Sequence, residues 1–383
     1  GNPIKPQDPG NPIKPQDPPQ DPVKPIKRTP TPIPIPKKQP SADKPKLQNL
    51  GSVSELHVNS DIDLDDSSSS YLSDPIIHLS EGKKITGTGD NQNAIKSDLF
   101  ADNHGIIKLT GKNTVGMSSQ IVYNRGFIKV GENSIAQHAV YKDVKDVEDN
   151  YERFIINEGI IELGKNSTGI RMDKEYNNIN GFANNYGTIT SNAANVTGIM
   201  AHIKDVKLSK DNPNLISYID NDGEINLSGD KSKGMYAEGK GKMKMRNRNK
   251  IIIGDSSDKN DPSIAMHSSN PENETINDGI IEVGKNSRGM SETNGGRLTN
   301  NQEIIIKGEN GVGMYLANGS KGVNNGTIEL TAKNAIGVVL DANSEFTNNG
   351  NIIINSDEGI GVLANGGIVN NTGYFEIKSK NST

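Results

Sequence analysis

From about residue 80 onward, short stretches alternate apolar and polar residues, and the same alternation returns again and again. The phrases INEGIIELGKNSTGI (156–170) and INDGIIEVGKNSRGM (276–290) are near-copies. Aligned on the glycine of N-x-G, the anchor position holds Gly105, Gly126, Gly159, Gly187, Gly223, Asn249, Gly279, Gln302, Gly326, Gly350 and Gly373. Two residues after the anchor stands isoleucine, from Ile107 to Ile352, and then Phe375; four after it is a second residue, nearly always apolar. A period of two with one apolar face predicts a strand. A second signal, Gly-Met, Gly-Ile or Gly-Val, follows ten or eleven residues later at Gly116, Gly169, Gly198, Gly234, Gly289, Gly313, Gly337 and Gly361. Residues two before the asparagine, such as Val122, Ile155, Ile219 and Leu298, mark a third strand.

The last five anchor spacings are 30, 23, 24, 24 and 23 residues. Three strands in a repeat of that length, with no helical period, predict one coil of a solenoid. The leucine-rich frame L-x-x-L-x-L is missing. The fold expected is all-β: a right-handed parallel β-helix of about 11–12 coils. Two residues before every anchor is asparagine: Asn103, Asn124, Asn157, Asn185, Asn221, Asn247, Asn277, Asn300, Asn324, Asn348 and Asn371. Coils stack about 4.8 Å apart, so this column predicts an amide ladder in which each carboxamide bonds its neighbours. The anchor glycine is expected to adopt a backbone conformation closed to other residues, with Asn249 a tolerant substitute and Gln302 an exception.

Composition changes the picture at the N-terminus. Residues 1–46 hold 15 of the 19 prolines and repeat GNPIKPQDP in tandem. An extended polyproline spacer is expected there, with an SH3-type ligand as the alternative. Residues 47–80 are read as a cap or transition, and 81–383 as the β-helix. Nine basic residues against four acidic ones give the linker +5, which leaves −10 of the net −5 for the rest. That balance argues against nucleic-acid binding by the body. There is no cysteine, hence no disulfide, and no apolar run of membrane-spanning length. The chain does not begin with Met or a signal segment, so it is read as an internal piece or mature form, and its last coil stops short, so the protein is expected to continue.

Interruptions of the repeat fall mainly between the second signal and the next asparagine. The two longest carry Lys142, Asp143, Val144, Lys145, followed by Asp146, and Lys204, Asp205, Val206, Lys207. On a solenoid they lie two coils apart, roughly 10 Å, and they are candidate recognition loops. The alternative is a pair of solvated charged loops. KGKMKMRNRNK (240–250) is the one basic cluster of the body. Its alternation sends Met243, Met245 and Asn247 inward and Lys242, Lys244, Arg246 and Arg248 outward, as a candidate patch for anionic glycans or as a plain solvated face.

Catalytic signals are weak. GIIELGK and GIIEVGK match a phosphate loop, but Asn166 and Asn286 stand where Ser or Thr is needed and no helix follows. The outward column three after the anchor shows no carboxylate pair on adjacent coils for acid–base work. His57, His78, His104, His138, His202 and His267 are scattered without metal-ligand spacing. A cation held by Asp143, Asp146, Glu148, Asp149 and Glu152 is weaker than a charged loop tip. No catalytic residue, cofactor or metal is assigned.

The N-x-G-x-I-x-L/V-x-G-x-N-S-x-G-M/I coils, over about 80–383, resemble passenger domains of Gram-negative type V autotransporters. They are most similar to the large fusobacterial outer-membrane adhesins, which share the Pro-rich segment and the G-K-N-S-x-G-M coils. The resemblance implies export, a C-terminal membrane barrel elsewhere in the same polypeptide, and display on the bacterial surface. It also implies attachment to a glycan or protein receptor on host cells or other bacteria. A pure spacer and, less favoured, a glycan-degrading β-helix enzyme are the rival readings.

Overall fold

The computed structural model describes residues 53–65, 72–141, 153–174, 181–204 and 216–383. The tandem proline repeats lie outside the described residues. The described residues form a parallel β-helix in which all strand pairings are parallel and each strand pairs with its counterpart one coil away. One coil consists of three strands, as in Phe127–Val130, Ile135–Tyr141 and Arg153–Asn157. The Ile strands form a 13-stranded sheet, from Ile62–Asp63 to Tyr374–Ile377. The other two strand columns merge into one 23-stranded sheet because Leu72–Leu79 and Asn93–Asn103 run through the bend and pair in both. Two coils precede the first anchor, and ladder pairing already begins at Glu55, which pairs with Ile76. At about 4.8 Å per coil the stack spans on the order of 60 Å.

The period-two reading explains the interior. Ile107, Ile128, Ile161, Ile189, Ile225, Ile251, Ile281, Ile304, Ile328 and Ile352 are all fully buried, each above the next. Burying such a side chain is worth roughly 1.5–3 kcal/mol. The asparagines beside them form an unbroken chain of ten amide bonds. Each Nδ2 donates to the Oδ1 of the next coil at 2.7–2.8 Å, from Asn103 through to Asn371. Except for Asn371 these side chains are buried, so every link replaces water that the interior does not supply.

The conformation expected of the anchor glycines is not found. None has positive φ, and neither Asn249 nor Gln302 does. Glycine is required there by close stacking: a Cβ on Gly126, Gly159, Gly187 or Gly350 would collide with the carbonyl oxygen of the anchor glycine one coil before. The left-handed backbone falls instead on the asparagine of G-x-N, as in Asn133 (φ 55), Asn166 (φ 57), Asn286 (φ 51) and Asn310 (φ 57). Asparagine tolerates that region, and here it gains a partner: Asn166 Nδ2 donates to Asn133 Oδ1 at 3.0 Å and Asn195 Nδ2 to Asn166 Oδ1 at 3.1 Å.

Candidate functional site

The inward columns are monotonous, so any site is on the outside. Three interruptions, 142–152, 175–180 and 205–215, lie outside the described residues, and with them Lys142, Asp143, Lys145, Asp146, Asp205 and Lys207 of the candidate loops. Their departure points are described. Tyr141, Lys174 and Ile203 are in register on three consecutive coils, so all three interruptions leave from one corner. Lys204 is exposed there, with its N–H donated to Lys174 O at 3.1 Å. The strands leading to this corner run seven residues, Ile135–Tyr141, Thr168–Lys174 and Thr197–Ile203, against five in later coils such as Val312–Leu316. The last residue of each, Tyr141, Lys174 and Ile203, is buried and the one before it half-buried, and burial pushes the Lys174 ammonium down to about 8.

The basic stretch alternates as its sequence predicts, with Met243, Met245 and Asn247 buried. Its cations are held by carboxylates on neighbouring coils. Lys244 meets Glu274 at 3.2 Å and Arg246 meets Asp278 at 4.0 Å, while Arg248 bridges Asp220 and Asp222 at 2.7 Å each. Burial pushes the Asp220 carboxyl up against the pull of Arg248 and Arg246. Lys242 is half-buried at the strand's start, where its carbonyl accepts Ser217 N–H. These side chains therefore form a mixed-sign lattice rather than a positive field.

Sequence reasoning missed a different cluster, near the N-terminal end. The histidines that look scattered in sequence are partly gathered, because a separation of one coil is a step of 4.8 Å in space. His57 pairs with His78 and His78 with Asp102 in register. The two imidazoles stack at 5.0 Å, and Glu55 Oε1 accepts from both, at 3.1 and 2.9 Å. Asp102, nearly buried, receives Arg125 at 2.8 Å and lies 3.0 Å from His104 and 3.4 Å from His78. Burial would raise its carboxyl, but His78, Arg125 and His104 together hold it below the usual range. Arg125 also stacks over Tyr123, 3.8 Å from the ring centroid, and reaches Glu158 at 3.6 Å. Burial, then the bond to Glu158, push the Tyr123 hydroxyl up to about 12. No group of three or more His, Asp or Glu among the described residues has the geometry to hold a metal ion.

Two concavities meet at this cluster. One, about 440 Å³, is lined by His57, His78, Phe100 and Asp102; the other, about 530 Å³, runs along the anchor glycines; His104 and Arg125 line both. The second is a groove parallel to the stack. Its floor is Gly82, Gly105, Gly126, Gly159 and Gly187, one wall is His104, Arg125 and Glu158, and the other is Ile106, Phe127 and Ile160. Ile160 is 48% exposed, the most among the described large aliphatic side chains before the final coil. The groove follows from N-x-G-x: the glycine has no side chain, and the residues flanking it both face outward. That motif was legible in the sequence; its consequence for the outer surface needed the stacking.

Elsewhere on the surface, two carboxylates of the Ile sheet are tied to lysines. Glu162 meets Lys129 at 2.9 Å, and Glu282 lies between Lys250 at 3.0 Å and Lys307 at 2.8 Å. No helix among the described residues is long and apolar enough to cross a membrane.

No curated protein and no solved structure matches the chain. A family model described as the BigA third pectate lyase-like domain matches residues 120–312, about half the sequence and the central coils of the stack. The three-strand parallel coil described above is that of the matched region and continues on either side of it, and the chain belongs to the BigA third pectate lyase-like domain family.

Proposed function

We propose that the chain is a β-helical stalk displayed on a bacterial surface, of the type V autotransporter passenger kind, which attaches to host cells or to other bacteria. The observation that carries this reading is the common departure point of three interruptions at Tyr141, Lys174 and Ile203. A rod whose interior is held constant while one corner varies is suited to presenting segments to a partner. The partner is a glycan or protein receptor on the opposing surface, and binding rather than catalysis is the activity. The likeness of the coils to fusobacterial adhesins supports surface location, with the membrane barrel elsewhere in the same polypeptide. Purified chain is applied to host epithelial cells and to bacterial lawns, beside a variant with 142–152 and 205–215 scrambled. Attachment that drops with the scrambled variant is expected. Equal attachment removes the loops as the recognition element, and absence of attachment by either protein reduces the chain to a spacer. Release of reducing sugar from polysaccharides by the chain overturns the non-catalytic assignment.

A further inference from the structure

The glycine-floored groove has a chemistry of its own, separate from the loop corner. From Gly105 to Gly187 its floor offers no free backbone. Phe127, Ile160 and Thr188 donate their N–H groups at 3.0 Å to Gly105, Gly126 and Gly159 of the preceding coils, and the N–H groups of Gly126 and Gly159 go to Asn103 O and Asn124 O at 3.0 and 3.1 Å. A peptide cannot add there as an extra strand, since strand addition needs unpaired edge groups. Recognition has to come from the two walls. The apolar wall presents the Phe127 ring between two isoleucines, a surface for the C–H faces of a ligand. The polar wall presents guanidinium, imidazole and carboxylate groups of both signs, with Arg125 already paired to Asp102 at 2.8 Å and to Glu158 at 3.6 Å. A strongly charged ligand of either sign meets a like charge as well as an opposite one. A ligand with one apolar face and one hydroxyl-bearing edge satisfies both walls, and the groove's direction makes it long and thin.

We propose that this groove binds an unbranched, uncharged glycan lying along the rod axis. The proposal rests on the adhesive reading and gives it a second site, with a ligand class, distinct from the loops. Phe127 is the platform, and Glu158 and Arg125 address hydroxyl groups. The test uses the whole chain against cellohexaose, laminarihexaose, chitohexaose and, as anionic probe, polygalacturonate, by titration calorimetry. At least one neutral hexamer binds, and Phe127→Ala weakens it about tenfold with an unchanged melting temperature. Glu158→Gln weakens it less, since the amide still bonds hydroxyls. Binding of polygalacturonate alone, no binding of any neutral hexamer, or equal binding by Phe127→Ala each overturns the proposal. The same proteins are assayed on cells. Attachment without hexamer binding removes the groove and leaves the adhesive reading; hexamer binding without attachment removes the adhesive reading and leaves the groove.

Discussion

The coils of 274–377 and those of 93–253 share one interior and differ in everything else. In the later set, strands are four or five residues long, coil lengths hold at 23–24 residues, and the corner asparagines continue as outer ladders, such as Asn349 to Asn325 to Asn301 at 3.0 and 2.9 Å. In the earlier set, the same corner position carries His104, Arg125, Glu158, Tyr186, Asp222 and Arg248. There the strands lengthen and the interruptions emerge. The inner columns do not register the change: Ile128 and Ile328 are equally buried, and the amide bonds are 2.7 and 2.8 Å long. The difference teaches that stability and recognition are written on opposite faces of the same strands, so the outer face is free to vary coil by coil.

Breaking the shared interior gives the largest effects, and in both regions. Asn247→Ala removes the ladder acceptor of the buried Asn221 Nδ2, which keeps only Gly223 O and Lys250 O, and leaves the buried Asn277 Oδ1 with only Gly279 N–H at 3.3 Å. A loss of about 2–4 kcal/mol in chemical denaturation is expected, whereas the exposed Asn371→Ala changes little. Next comes the corner glycine. Gly350→Ala drives a methyl group into Gly326 O and is expected to cost roughly 1–3 kcal/mol. Gly319→Ala, at φ +81 with only Asn343 O within 4 Å of the new methyl at 3.9 Å, tests backbone strain alone, with an expected loss of about 1 kcal/mol. If the two glycine variants fall in the reverse order, close stacking is not what selects glycine at the anchor.

The smaller predictions concern where the two regions join. Glu292 faces the interior, and burial raises its carboxyl. A raised carboxyl favours the folded state at low pH and loses that advantage as pH rises past the unfolded value of about 4.3. Glu292→Gln is therefore expected to melt higher than the parent at pH 7 and equally near pH 4. His267, stacked on Tyr236 at 5.3 Å, is pushed down by burial to about 4. The folded state holds it neutral, so stability is full above the unfolded value of about 6.5 and declines as pH falls toward 4. Thermal melts between pH 7 and 4 show this as a slope that His267→Gln flattens, the mildest effect of the set.

The interior was legible because strand period is a local property: Ile281 and Val283 announce their face within one phrase, and Asn277 its ladder by recurrence alone. The outer groupings were not legible in the same way. Asp102 meets Arg125 across 23 residues and Arg248 meets Asp220 across 28, and such pairs become visible only when coil length is known to the residue. The anchor glycine was misread for a physical reason. Positive φ and steric closeness both select glycine, and a sequence does not distinguish them, although the recurrent asparagine of G-K-N-S was in plain sight as the residue that takes the left-handed turn.

The ten links of the inner amide chain all point the same way, donor toward the C-terminal end. Their dipoles add head to tail and polarise one another, as peptide dipoles do along a helix. The rod thus has an electrical sense of direction threaded through its dry interior. A coil transplanted from another rod must present its carboxamide with that sense, because one reversed amide faces donor to donor on one side and acceptor to acceptor on the other. Coils are interchangeable only as arrows, never as beads.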